Sequence, residues 1–274
     1  MIIDAHVHFW KYSPLRDGWI TDEMIVIQRD FLPEDLVPML VANGVDGCIA
    51  VQADQSEAET EFLLNLAAEH SFIKGVVGWV DLCADTIEER LAYYSSFEQL
   101  KGMRHIIQSE PDNFMLRDDF RRGISKLKKF GFTYDLLLLP KHLPQAIDLV
   151  KHFPDQLFVI DHLSKPAIRT GEMENWKKDI NQIAQFPNVH CKLSGMVTEA
   201  DWKNWKLTDF KPFIEEALYA FGVERVMFGS DWPVCLLAAS YQQCVEVAKL
   251  NTIQLTDSEK GKLWGSNASN FYSL

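Results

Sequence analysis

No C-x-x-C pair occurs in the chain, and its five cysteines (Cys48, Cys83, Cys191, Cys235 and Cys244) are odd in number. That pattern argues against a disulfide framework and for reduced thiols in a cytoplasmic protein. Positive charge is also short: 27 Lys and Arg face 39 Asp and Glu, a formal charge of −12. A basic face for nucleic acid or an anionic membrane is therefore not expected, although the net sign says little about a substrate. No basic leader or long apolar stretch precedes the opening run Ile2-Ile3-Asp4-Ala5-His6, so neither a signal peptide nor a membrane span is expected. No Gly/Ser/Pro-rich linker or low-complexity tract interrupts the chain, and residues 1–274 read as one domain.

What remains is ordinary globular material, 47% hydrophobic and 24% charged. A chain of this length buries enough surface to fold without a disulfide or a structural metal. Short β-rich runs alternate with amphipathic segments throughout. The expected strands are Ile2–Phe9, Asp46–Gln52, Ile73–Val80, Gly102–Gln108, Thr133–Leu139, Leu157–Leu163, Val189–Ser194 and Arg225–Gly229. Many are almost continuously apolar, as in Phe158-Val159-Ile160, which suits a parallel sheet covered on both faces. Between them, Ser56-Glu57-Ala58-Glu59 reads as a capping box opening a helix to about His70. Asp85, with Glu88 three residues on, reads as the next cap, and Gly44 and Gly131 stand where helices should stop. Eight units of about 34 residues match a (β/α)8 barrel. An open doubly wound sheet would leave the last units unexplained, and no G-x-G-x-x-G turn follows the first strand.

Barrel active sites gather at the C-terminal ends of the strands, so polar residues there carry information. On the first strand His6 and His8 alternate with Val7 and point the same way, a natural pair of metal ligands. The sixth run ends Asp161-His162, with His162 placed as its last interior-facing residue, either a ligand, an electrophile or a proton shuttle. The eighth ends Gly229-Ser230-Asp231-Trp232-Pro233; the glycine admits close packing, and Asp231 stands where it can act as general base or complete a metal site. Arg104 and Lys192 sit in strands where a charge needs either a substrate oxygen or a buried partner. Gln52 and Trp79 end two further strands and are candidates for the pocket lining. Trp10, Tyr12, Trp19, Trp202 and Trp205 suit stacking on a sugar or packing, including against a neighbouring subunit in a homo-oligomer.

These fragments, with Lys101-Gly102-Met103-Arg104-His105, Asp161-His162-Leu163-Ser164-Lys165-Pro166, Cys191-Lys192-Leu193-Ser194-Gly195 and the tail Trp264-Gly265-Ser266-Asn267-Ala268, fall in order along the whole chain. Together they resemble the amidohydrolase-2 branch of the amidohydrolase superfamily, and within it the L-fucono- and L-rhamnono-lactonase type. The resemblance implies hydrolysis of a small sugar-derived lactone in carbohydrate breakdown: Asp231 as base, His162 or a metal polarising the carbonyl, and Arg104, Lys192 and Gln52 orienting substrate oxygens. Decarboxylase-type relatives place a metal-binding His on strand five, where this chain has Thr133-Tyr134-Asp135-Leu136-Leu137-Leu138-Leu139. A single zinc on His6, His8 and Asp231 and a metal-independent reaction both stay open, and decarboxylation of an aromatic acid becomes the lesser reading. A 2-pyrone or muconolactone-type lactonase is a further alternative on the same scaffold. A phosphoesterase or nuclease would need more ligands on strands three to five and a basic approach surface, and neither is visible. A barrel that binds a sugar acid without turning it over has no evident use for four such residues at one rim.

Overall fold

Each of the eight β-rich runs forms a strand in the computed structural model, which describes residues 1–274. They are β1 (Ile3–Val7), β2 (Gly47–Val51), β3 (Ile73–Gly78), β4 (Leu100–His105), β5 (Thr133–Leu136), β6 (Phe158–Ile160), β7 (Val189–Leu193) and β8 (Val226–Phe228). All neighbours pair in parallel and in chain order. The ring closes just beyond β8: the His8 N–H donates to the Trp232 carbonyl (2.6 Å) and the Asp231 N–H to the His6 carbonyl (2.9 Å). Helices α1 (Pro33–Asn43), α2 (Glu57–Glu69), α3 (Ile87–Tyr94), α4 (Asp118–Leu127), α5 (Leu143–His152), α6 (Glu174–Ile183), α7 (Leu207–Phe221) and α8 (Tyr241–Asn251) follow the strands one for one. The chain ends in α9 (Asp257–Gly261) and α10 (Asn267–Phe271). This is a single-domain (β/α)8 barrel. No helix is long and apolar enough to cross a membrane.

Two apolar layers hold it together. The larger lies between sheet and helices and includes Val7, Cys48, Ala50 and Val76. The smaller fills the floor of the barrel, where Ile3, Ala5, Ile49, Val51, Val77, Val159 and Met227 meet Ala268, Phe271 and Tyr272 of the C-terminal segment. That segment stoppers the N-terminal end of the strands, so the opposite end is the open one.

The expected strands run too far at several C-terminal ends. β5 stops at Leu136 and β6 at Ile160; Leu137, Leu138 and Leu163 are buried by packing rather than by ladder pairing, and apolar character alone does not separate the two. Gly44 and Gly131 do end helices, in left-handed conformation (φ 68° and 78°). Ser56 accepts the Glu59 N–H (3.2 Å), but the Glu59 carboxylate turns to the Ala53 N–H (3.2 Å) instead of closing the box. Asp85 does not cap α3, which begins after Thr86; its carboxylate pairs with Arg122 in solvent.

Glu59 carries a pH dependence. Burial raises its carboxyl to about 7, outweighing the Ala53 N–H and Arg16, which favour the charged form. Stability from an acid whose folded pKa is raised is whole below the ordinary value of 4.5 and is lost as pH rises through 7. Glu59→Gln keeps an acceptor for Ala53 and removes the charge. The variant is expected to be more stable than wild type at pH 8 by about 1–3 kcal/mol, with the gap closing near pH 5. Urea unfolding at both pH values checks this, and a variant weaker than wild type at pH 8 contradicts it.

Candidate active site

The site begins with an irregularity in β1. Asp4 pairs with Cys48 but Val7 with Ala50, so β1 bulges between them. Asp4 turns outward and accepts the N–H groups of His6 (3.1 Å) and Ser230 (2.9 Å), bracing the bulge against the tip of β8. Burial raises the Asp4 carboxyl to about 6 despite those hydrogen bonds. His6 and His8 then enter the barrel together, their Nε2 atoms 3.2 Å apart. A Cβ on Gly229 would stand 2.7 Å from the His6 Cβ, so only glycine lets β8 pass this close.

Asp231, at φ 60°, sets its Oδ1 3.3 Å from His8 Nε2, 3.8 Å from His6 Nε2 and 3.8 Å from His162 Nε2. Burial alone would raise its carboxyl, but His162, His8 and His6 outweigh burial and hold it well below the usual carboxylate range. Burial lowers His162 to about 4, against the pull of Asp231 and Asp161. The four residues expected at the rim thus converge.

His162 arrives by an unexpected route. β6 ends at Ile160, Asp161 takes the interior position, and His162 to Lys165 form a left-handed turn with φ of 55°, 52°, 60° and 52°. This conformation costs roughly 1–2 kcal/mol per non-glycine residue, and such strain clusters where side chains must be aimed. The His162 Nδ1 meets the Ser194 hydroxyl at 2.9 Å. Gly195 (φ 59°) completes the cradle, since a Cβ there would lie 2.5 Å from that nitrogen.

The donor set fits a divalent cation. His6 Nε2, His8 Nε2 and an Asp231 oxygen lie within 4.8 Å of one another. The His8 Nδ1 faces the Val51 carbonyl at 2.7 Å, which leaves its Nε2 lone pair free, and the His6 Nδ1 lies 3.3 Å from Asp161 Oδ1. Two ring nitrogens about 3.3 Å apart is the spacing that tetrahedral ligands at about 2.0–2.1 Å adopt. Arg104 Nη1 also approaches His6 Nε2 (3.3 Å). A second triad, His6, Asp161 and His162, is equally close, but Arg104 (3.1 Å) and Lys192 (3.0 Å) already neutralise Asp161.

Beneath the histidines lies a layer of buried charge. Lys192 Nζ is fully enclosed, 2.6 Å from Asp135 Oδ2, 3.0 Å from Asp161 Oδ1 and 3.2 Å from His6 Nδ1. The Tyr272 hydroxyl donates to Asp135 from below (2.8 Å). Arg104 pairs with Asp161 and donates to the backbone carbonyl and side chain of Gln52, whose amide donates back to the Arg104 carbonyl (3.2 Å). Burial raises the Asp135 carboxyl to about 6, opposed by Lys192. Asp161 goes the other way: burial would raise it, but Lys192, His6 and Arg104 hold it well below the usual range. Of the three residues expected to face substrate oxygens, Gln52 is therefore engaged with Arg104, Arg104 with Asp161, and Lys192 with Asp135 and Asp161, all below the rim. Trp10 differs as well. It is 1% exposed, set edge-on to Phe31 and Trp19, with its indole N–H on the Arg29 carbonyl (2.8 Å). Trp79 is half-buried at the end of β3, its indole N–H directed at His105 Nδ1 (3.2 Å), and His105 Nε2 meets Glu110 (2.8 Å).

Sequence reasoning gave no role to Asp135, Asp161, Ser194, Asp4 or Tyr272. Two of these had a signal: an interior that receives Arg104 and Lys192 requires two carboxylates, and Asp135 on β5 and Asp161, next after the last residue of β6, are acidic residues at inward-facing positions. Tyr272, at the far end of the chain, had none.

The family model described as Amidohydrolase matches residues 3–274. An L-fucono-1,5-lactonase of Burkholderia multivorans is 39% identical, covering 99% of this chain and 96% of its own. Another from Burkholderia ambifaria is 34% identical, covering 99% and 95%. A crystal structure of an amidohydrolase from Burkholderia multivorans with bound zinc superposes with a TM-score of 0.97 at 39% identity, covering 100% of this chain and 99% of that one. The chain belongs to the amidohydrolase family.

Proposed function

We propose that this protein hydrolyses a sugar-derived lactone, with one zinc held by His6, His8 and Asp231. The observation that carries the reading is the Asp231 carboxylate, kept ionised and ringed by three imidazoles at the open end of the barrel. Full-length likeness to two L-fucono-1,5-lactonases supports the substrate class. The zinc reading is supported by the donor set and by the metal in a close structural relative. When bound, the ion supplies Lewis-acid polarisation at that edge of the site.

The chain's own residues account for the proton movements. Asp231 takes a proton from water as the water oxygen bonds to the lactone carbonyl carbon. The Ser194 hydroxyl donates to His162 Nδ1, so the ring stays neutral and presents Nε2–H to the developing oxyanion. The bond from that carbon to the ring oxygen then breaks, and Asp231 returns its proton to the departing oxygen, leaving a hydroxy acid. Arg104 and Lys192 act one layer down, fixing Asp161 and through it the His6 ring. The absence of a histidine on β5, where Asp135 is tied to Lys192, weighs against decarboxylation.

A pH-indicator assay over 1,5- and 1,4-lactones of sugar acids is expected to show proton release, and silence from all of them removes the reading. After treatment with a strong chelator most of the rate is expected to be lost, with the Lewis-acid contribution of the ion, and to return with added zinc. Activity that survives chelation removes the zinc and leaves the reaction standing.

A further inference from the structure

Two charged side chains at the mouth take no part in the chemistry above. Lys165 ends the left-handed turn that carries His162, its N–H donating to the His162 carbonyl (2.7 Å). Glu199 lies in the turn Val197–Glu199 on the loop after β7. The two loops are joined there, where the Arg169 N–H donates to the Glu199 carbonyl (3.0 Å). Lys165 Nζ stands 3.7 Å from Glu199 Oε1, with the side chains 22% and 25% exposed. That separation is too long for a hydrogen bond, and so loose a pair adds little to folding. Neither charged group hydrogen-bonds to another side chain, so both keep open valences on the loops that follow β6 and β7 at the open end of the barrel. Burial pushes the Glu199 carboxyl up, with Lys165 opposing the shift and Asp231 adding to it.

The gap has a shape. An oxygen about 2.8 Å from both partners spans it with ordinary hydrogen-bond geometry. It must accept from the ammonium and donate to the carboxylate, and a hydroxyl does both. A neutral polyol offers several. We propose that Lys165 and Glu199 form the hydroxyl-recognising subsite of this cleft, reading a ring hydroxyl of the substrate away from the reacting carbonyl. The proposal rests on the lactone-hydrolysis reading and makes the pair specificity-determining rather than catalytic. Because both hydrogen bonds are charge-assisted, a substrate lacking that hydroxyl leaves both ions without a hydrogen-bond partner across the gap.

The test compares wild type, Glu199→Gln and Lys165→Met on a polyhydroxylated 1,5-lactone and on δ-valerolactone, whose ring carries no hydroxyl. In each variant the ratio of kcat/KM for the sugar lactone to that for δ-valerolactone is expected to fall about 10–100-fold, mainly through KM. The ratio is internal to one protein sample and so is insensitive to partial misfolding. A ratio within about threefold of wild type in both variants, well short of one charged hydrogen bond, overturns the proposal. Calorimetry with the matching sugar 1,5-lactam, which the site does not need to turn over, separates the two readings. If wild type opens neither lactone, the lactonase reading fails and the pair is judged by the lactam alone. Binding that weakens at least about tenfold in Glu199→Gln supports it, whereas no binding or unchanged binding overturns it.

Discussion

Asp231→Asn is expected to lower kcat by about 10³-fold on any lactone the wild type opens, within the range that a positioned base contributes. The substitution is a clean one. Asn matches Asp in size and tolerates the left-handed backbone (φ 60°), so its own N–H keeps the bond to the His6 carbonyl that closes the barrel. What it removes is the negative charge that His162, His8 and His6 surround and the capacity to hold a proton in transit. The loss should therefore appear in kcat at all pH values where wild type is active, with no restoration at high pH. A melting temperature close to wild type separates this from unfolding. A variant within tenfold of wild type assigns the base to another group.

Lys192→Met carries the largest expected loss of stability. The Lys192 ammonium is wholly enclosed, and the two carboxylates it touches are enclosed with it. Methionine replaces most of the stem volume but leaves Asp135 with only the Tyr272 hydroxyl and Asp161 with only Arg104 and His6. Removing one partner of a buried pair costs about 3–5 kcal/mol, because the remaining charge stays out of water. For a chain of this size the melting temperature falls by roughly 10 °C. The Lys192→Met/Asp135→Asn double variant should recover about 1–3 kcal/mol of that loss, since neutralising Asp135 removes the stranded charge. Guanidinium unfolding of the two variants and wild type measures both effects. A loss under about 1 kcal/mol would mean that Asp135 is protonated in the native protein and needs no counter-charge.

Much of the fold was legible because its signals are local. Apolar runs with the length of strands, glycines at helix ends and segments with helical periodicity require only neighbours in sequence, and they located all eight strands. Errors gathered where local character is ambiguous. Leu163 is as apolar as a strand residue yet lies in a left-handed turn, and Asp85 has the chemistry of a helix cap but stands one residue too early. His6, His8, His162 and Asp231 were found because chemistry-bearing residues at strand ends are conspicuous against apolar surroundings.

The roles of Arg104, Lys192 and Gln52 were not legible in the same way. Each sits on a strand that faces the interior, and sequence alone leaves open whether such a charge meets a ligand or a buried partner. That choice depends on depth along the barrel axis, which is set by the bulge in β1, the stagger between strands and the C-terminal stopper bearing Tyr272. None of these is a property of a single segment. By itself the sequence determined the barrel and its open end and singled out the four residues that converge there, because periodicity and composition act over a few residues. Only the tertiary structure decided which charges face the cleft and which neutralise one another beneath it, because pairing between β4, β5, β6 and β7 depends on distances between chain segments far apart in sequence.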